Sequence, residues 1–381
     1  MSRCVEAVAV GRCFRLVLPV VALLTAAFLI GGCSIRSHPT APGPDSTGPS
    51  AASGLSQLES ALDDQVLRGP APNRGIRGMV IRVNGTTRLE RYWSSSPDDY
   101  HHVFSLTKSV LSTLVGIALE DGVLPDADAN LAQLLPRYRT IMSADVAAIT
   151  IEQLLTMTSG IGFGSGKPPA DVGDDDYVES ILGRGADHQP GTVWQYSDAA
   201  VNVLAAVLTE ALSHQHPSRT LLAYGREKLF DPLGIRTEPA YTSFEDDPFS
   251  TAFDEADFAW ATDRMGRFFG DAGLKLRTAD LADLGQLYLQ HGRWKGEQLV
   301  PAVWTRRATV RSTDLAEYGR LWWPVVFDHE PAYAAQGYGG QLILVAPHRR
   351  LVIAVSADSR TELDVEDLMA MLQTTALPLL D

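Results

Sequence analysis

Apolar positions along the chain fall first into alternating runs, then into helical stripes, then into alternating runs again. Leucines at 55, 58, 62 and 67 have helical spacing over Gly54 to Arg68, with Ser56 as a candidate cap. Met79-Val80-Ile81-Arg82-Val83 and Thr87 to Trp93 are β-rich runs on either side of Asn84-Gly85, which predicts a tight hairpin. From Ser105 to about Arg236 the pattern is mostly helical. Val110, Leu111, Leu114, Val115 and Leu119 stripe the first helix, which Asp121-Gly122 ends. Ile151 to Met157, Tyr177 to Leu182, Ser197 to Ala211 and Thr220 to Phe230 follow, and Leu281 to His291 is a further helix. Strand patterns return at Leu321 to Phe327, Gln341 to Ala346 and Leu351 to Ala357.

Two strand groups flanking a helical block predict an α+β domain over 55–381. A mixed α/β lobe comes from about 55–104 and 237–381, with a helical lobe at about 105–236 inserted between its parts. Pockets favour such junctions. The helix that starts at Ser105 begins where the chain leaves the first strand group, and so at that junction.

The first 32 residues read as an export leader. Arg3, Arg12 and Arg15 precede a 15-residue apolar stretch, Leu16 to Ile30, and Ile30-Gly31-Gly32-Cys33 resembles a lipobox. At about 1.5 Å per residue the stretch falls short of a roughly 30 Å hydrocarbon core, and Pro19 interrupts it. The expected product is an exported protein held to the bacterial envelope by a lipid on Cys33. Residues 33–54, rich in Ser, Pro, Gly and Thr, would form a flexible tether. The other cysteines are Cys4 and Cys13, so no thiol would remain inside the folded domain. Formal charge is −14, or −16 once Arg3, Arg12, Arg15 and Glu6 are set aside. That argues against nucleic acid and anionic lipid as partners.

Against this acidic background one tetrapeptide stands out, Ser105-Leu106-Thr107-Lys108. The chain has 27 arginines and five lysines, and Ser105 alone among its serines has a lysine three positions on. A desolvated ammonium can release its proton, which a guanidinium cannot. Helical spacing puts the two side chains on one face, and a positive helix end disfavours a protonated lysine. These residues fit a neutral Lys108 acting as base for a Ser105 nucleophile, and taken alone they fit still better a Ser105 that caps the helix with Lys108 pointing to water.

His101 to Gly122, "HHVFSLTKSVLSTLVGIALEDG", resembles the first motif of the penicillin-recognising serine hydrolases. In particular it is similar to the family joining class C β-lactamases, DD-peptidases, family VIII esterases and 6-aminohexanoate-dimer hydrolase. "TIEQLLTMTSGI" (150–161) resembles that family's "LLTHTSG" landmark, with Met157 where histidine is expected. "PGTVWQYSDAAVNVL" (190–204) carries the second motif, Tyr-x-Asn, as Tyr196-Ser197-Asp198. "LFDPLGI" (229–235) and "AGLKLRTADLADLGQLYL" (272–289) are further landmarks, and "GYGGQ" (337–341) stands in place of the third motif.

The resemblance implies a β-lactamase/transpeptidase-like fold and a cofactor-free, metal-free acyl-enzyme mechanism. Ser105 would be acylated, Lys108 would be its base and Tyr196 would relay protons to the leaving group. The N–H groups of Ser105 and Gly340 would form the oxyanion hole, with Asp198, Tyr338 and Gly339 contacting substrate. Asp198 replaces the asparagine that binds the acyl-amide side chain of lactams, and Tyr338 replaces a cation that holds their carboxylate. Both changes disfavour lactams and point to the esterase and 6-aminohexanoate-dimer hydrolase branch, with a small ester, amide or peptide-like substrate. A β-lactamase, a DD-peptidase or an inactive tethered binding protein are the alternatives.

Other chemistry finds little support. No Gly-x-Ser-x-Gly elbow occurs, since Phe163 and Lys167 flank Ser165 where glycines are needed. His214-Gln215-His216 lacks the aspartate of a metallo-lactamase set, with Ser218 in its place, and reads as the polar end of a helix. His101-His102 has no metal spacing, and Asp174-Asp175-Asp176 reads as a solvated turn.

Overall fold

Alternation in the strand segments sends side chains to two faces, and both faces are covered. The computed structural model describes residues 51–162, 176–242 and 250–380, within one unit that runs Pro49–Asp381. The leader, Cys33, the tether up to residue 50 and Asp174-Asp175 lie outside the described residues.

The sheet draws on both ends of the chain. Its strands are β1 (Ile76–Val83), β2 (Thr86–Tyr92), β3 (Trp323–Phe327), β4 (Glu330–Gly337), β5 (Gln341–Ala346) and β6 (Leu351–Ala357). They pair antiparallel in the order β2-β1-β6-β5-β4-β3. Asn84 and Gly85 both take positive φ, 54° and 76°, as the β1–β2 hairpin turn requires. The principal helices are α1 (Ala51–Asp63), α2 (Thr107–Glu120), α3 (Asp198–Gln215), α4 (Thr278–Leu289) and α5 (Val365–Met371).

One sheet face, with Met79, Ile81, Leu344 and Ile353, packs on Leu58 and Leu62 of α1 and on Leu368 of α5. The other, with Val80, Ile343, Val352 and Ala354, joins a larger core with α4 and the helical block. Gly285 of α4 lets that helix lie on the sheet, because a Cβ there would sit 2.6 Å from Val352 Cγ1. This is the β-lactamase/transpeptidase-like arrangement of helices around an antiparallel sheet.

Strand β4 is the element that the hydrophobic pattern does not announce. Its sequence, EPAYAAQG, is poor in β-branched residues. Pairing with β3 and β5 on its two sides supplies the order that local preference does not.

Candidate active site

Ser105 precedes the α-helix instead of starting it. Phe104–Leu106 is a 3₁₀ turn, and α2 begins at Thr107. Phe104 has φ 48°, a left-handed conformation that costs a non-glycine residue about 1–2 kcal/mol. The turn is held by Leu106 N–H donating to Val103 O at 3.1 Å and by the Phe104 ring edge-on to Tyr338 at 5.7 Å. Strand β4 ends against the same turn. A Cβ on Gly337 would lie 2.2 Å from Val103 O, so only glycine allows this approach.

Lys108, in the first turn of α2, is 2% exposed. Its Nζ donates to Ser105 Oγ at 2.9 Å and to the Asp271 carbonyl at 2.9 Å. It also pairs with Asp198 Oδ1 at 2.7 Å and lies 4.9 Å from the Tyr196 ring centroid. Burial is the largest single influence on its proton and favours the amine. The electrostatic influence of Tyr196, Asp198 and Asp271 together outweighs it, and the pKa of Lys108 stands above the ordinary lysine value. The neutral lysine expected from a positive helix end is therefore not the resting state. The surrounding groups decide the matter, since an ion pair such as that with Asp198 at 2.7 Å outweighs the partial charge of a helix terminus.

Two segments deliver Tyr196 and Asp198. Gln195 N–H donates to Met157 O at 2.9 Å and Ser197 N–H to Met157 Sδ at 3.3 Å, so the residue that departs from the histidine landmark fastens both neighbours of Tyr196. Ser197 then caps α3, accepting from Ala200 N–H at 3.1 Å, and Asp198 occupies the first turn. One turn on, the buried Asn202 accepts from Gly270 N–H at 2.8 Å and Asp271 N–H at 3.3 Å. That pins the segment whose carbonyl holds Lys108. The Asp271 carboxyl is pushed up to about 6, by burial first and then by the charge of Asp198, against the pull of Lys108.

A cavity of about 340 Å³ opens over these groups, lined by Ser105, Tyr196, Trp323 and the Gln336–Gly339 stretch. Residues 362–366 complete its lining. Tyr196 stacks on Trp323 with centroids 6.1 Å apart and planes 18° from parallel. Ser105, Lys108, Tyr196, Asp198, Tyr338 and Gly339 thus converge. Gly340 does not line the cavity. It packs on Leu363, whose Cδ2 would be 2.8 Å from a Cβ there. Gln341 spends its amide on Ala357, bridging β5 and β6. Asn202 and Asp271 escaped the sequence reading. A polar Asn202 four residues after Asp198, among buried Ala and Val positions, was the available signal for one of them.

The histidines do other work. His102 Nε2 accepts from Gly273 N–H at 3.1 Å, and burial pushes His101 down to about 4 and His102 to about 3. His214 and His216 sit at the exposed end of α3, against Glu210 and Ser218.

With this geometry in view, comparison with known proteins is direct. The family model described as Beta-lactamase matches residues 55–376. Protein flp of Staphylococcus aureus (strain NCTC 8325 / PS 47) is 24% identical over 172 residues. The alignment covers 40% of this chain and 32% of that protein, so the chain spans about a third of the length of the curated relatives it matches. Among solved structures, a family VIII carboxylesterase superposes with TM-score 0.63 at 16% identity, over 86% of this chain and 97% of that one. A provisionally named 6-aminohexanoate-dimer hydrolase from Bacillus anthracis gives TM-score 0.64 at 18% identity, over 85% and 81%. A penicillin-binding protein homologue from Caulobacter crescentus gives 0.60 at 18%, over 84% and 98%. At such identities the superpositions establish the fold, and the family model, which spans most of the chain, establishes kinship: this chain belongs to the beta-lactamase family.

Proposed function

We propose that the chain is a serine hydrolase that cleaves carboxylic esters or amides through an acyl-enzyme on Ser105. The 2.9 Å contact of Lys108 Nζ with Ser105 Oγ, beside the cavity, carries this reading. Ser105 Oγ adds to the substrate carbonyl carbon as its proton passes to Lys108 in the amine form. The carbonyl oxygen takes the charge, facing the N–H of Ser105 and one from the Gly337–Gly339 stretch. The bond to the leaving group then breaks, and that atom receives its proton through Tyr196. Water, deprotonated by the same pair, adds to the acyl carbon and frees Ser105.

Because Asp198 and Asp271 favour the ammonium, the amine form grows in as pH rises, and the rate should rise with it. β-Lactams are the poorest expected substrates, since the Asp198 carboxylate would repel an anionic substrate and Tyr338 offers their carboxylate no charge. The esterase branch fits better. A fluorophosphonate probe should label the wild type and not Ser105→Ala. A short-chain nitrophenyl ester should be turned over faster than nitrocefin. Labelling of neither protein would leave a binding module, a reading that the tight Lys108–Asp198 pair also favours.

The leader supports a second element of the proposal, export and lipid anchoring through Cys33. Radiolabelled palmitate should enter the wild type and not Cys33→Ala. Equal incorporation in both would overturn it.

A further inference from the structure

The cavity beside Ser105 has a consistent chemical character away from the reacting groups. Its lining includes Glu362, Asp364 and Glu366 and, among the described residues, no lysine, arginine or histidine. The nearest cation, Lys108, is buried beneath and already shared among Asp198, Ser105 and the Asp271 carbonyl. These acids are not equivalent. Asp364 spends Oδ1 on the Glu366 N–H at 2.7 Å, capping α5. Glu362 and Glu366 are exposed and form no ion pair among the described residues. The neighbouring Arg360 and Arg77 are both committed to Asp358.

Aromatic rings line the same cavity. Tyr338 stands 57% exposed, with an edge contact to Phe104, and Trp323 and Tyr196 present a stacked pair. Aromatic faces attract cations through their quadrupole, most strongly where water is partly excluded. Carboxylates and rings lining one cavity form a combination that favours a positive group and penalises a negative one. The two features come from separate parts of the chain: the Ser359–Glu366 segment supplies the acids, while the second-motif segment, β3 and the β4–β5 turn supply the rings.

We infer that this cavity selects substrates carrying a positively charged amine or ammonium group, held by Glu362 and Glu366 together with Tyr338 and Trp323. The inference deepens the hydrolase reading by naming the substrate class. It can be tested without turnover.

Binding of hexyltrimethylammonium, hexanol and hexanesulfonate to the full chain is measured by calorimetry in the wild type and in Glu362→Gln/Glu366→Gln. The cation should bind at least about tenfold more tightly than hexanol, and the sulfonate more weakly than either. In the double variant the cation-to-hexanol ratio should fall to within about twofold, as expected when the opposing charge is removed. In the wild type the preference should shrink between about 0.01 M and 1 M salt, where the screening length falls from about 30 Å to about 3 Å. Tyr338→Ala should weaken the cation more than hexanol, and the bound cation should slow fluorophosphonate labelling of Ser105. Equal affinity for the three ligands, or a preference that survives the double variant, overturns the inference. Labelling of Ser105 without cation preference would leave the hydrolase reading standing alone. Cation preference without labelling would leave the recognition site and remove the hydrolase.

Discussion

Among the described residues two lysines lie buried, Lys108 and Lys275, at 2% and 4% exposure. Their protons are held in opposite ways. Lys275 points its Nζ at backbone carbonyls that end a short helix, with Asp254 O at 2.8 Å and Phe253 O at 3.1 Å. Burial dominates there and pushes its pKa below the ordinary lysine value. Lys108 feels burial in the same direction, yet the charges around it carry it the other way. Equal burial therefore does not mean equal chemistry. Carbonyl dipoles satisfy an ammonium without adding net charge, whereas carboxylates stabilise the charge itself. Lys275 holds structure together, and Lys108 is the lysine whose proton can be moved by changing a neighbour.

Substitution of each lysine is the strongest way to break the contrast. Lys108→Arg keeps the positive charge and removes the releasable proton, so ester turnover should fall by about 10²–10⁴. Near-normal turnover would show that charge alone is needed there. Lys275→Met should act on stability instead. It strands the carbonyls it now satisfies, at about 1–3 kcal/mol in a denaturant melt, with turnover per labelled Ser105 kept.

Finer perturbations act through the carboxylates. Asp198→Asn removes a charge at 2.7 Å from Lys108 Nζ. The ascending limb of the rate–pH profile should move down by about one unit or more. A uniform loss of rate with no shift would instead mean that Lys108 serves only as a cation. Asp271→Asn should have the smallest effect, read as stability against pH. The folded-state pKa of Asp271 is raised to about 6, so the native state holds the proton more tightly than the unfolded chain does. Its contribution is complete below the ordinary carboxyl range and is lost as pH rises through about 6. The variant should flatten that decline in melts across the acid range.

Much of this site could be read before any coordinates. Ser105 and Lys108 meet because three residues of helical or 3₁₀ chain bring side chains together, whichever of the two forms. The Asn84-Gly85 hairpin and strands β5 and β6 were equally plain, since turn chemistry and dense β-branched runs are local properties. Strand β4 was not, because Ala and Gln have no strong preference until neighbouring strands pair with them. Nor was the packing of Gly337 on Val103 and of Gly340 on Leu363, which depends on where a hairpin turns.

The amino-acid sequence by itself determined the pairing of a serine with a lysine, the order of the motifs and the acidity of the chain. Only the tertiary structure decided what surrounds that lysine. Asp198 and Asp271 are 73 residues apart in sequence and meet at Lys108 because Asn202 pins the Gly270-Asp271 backbone to α3. Protonation follows from the sum of charges within a few ångströms, and no local pattern in the chain encodes that sum.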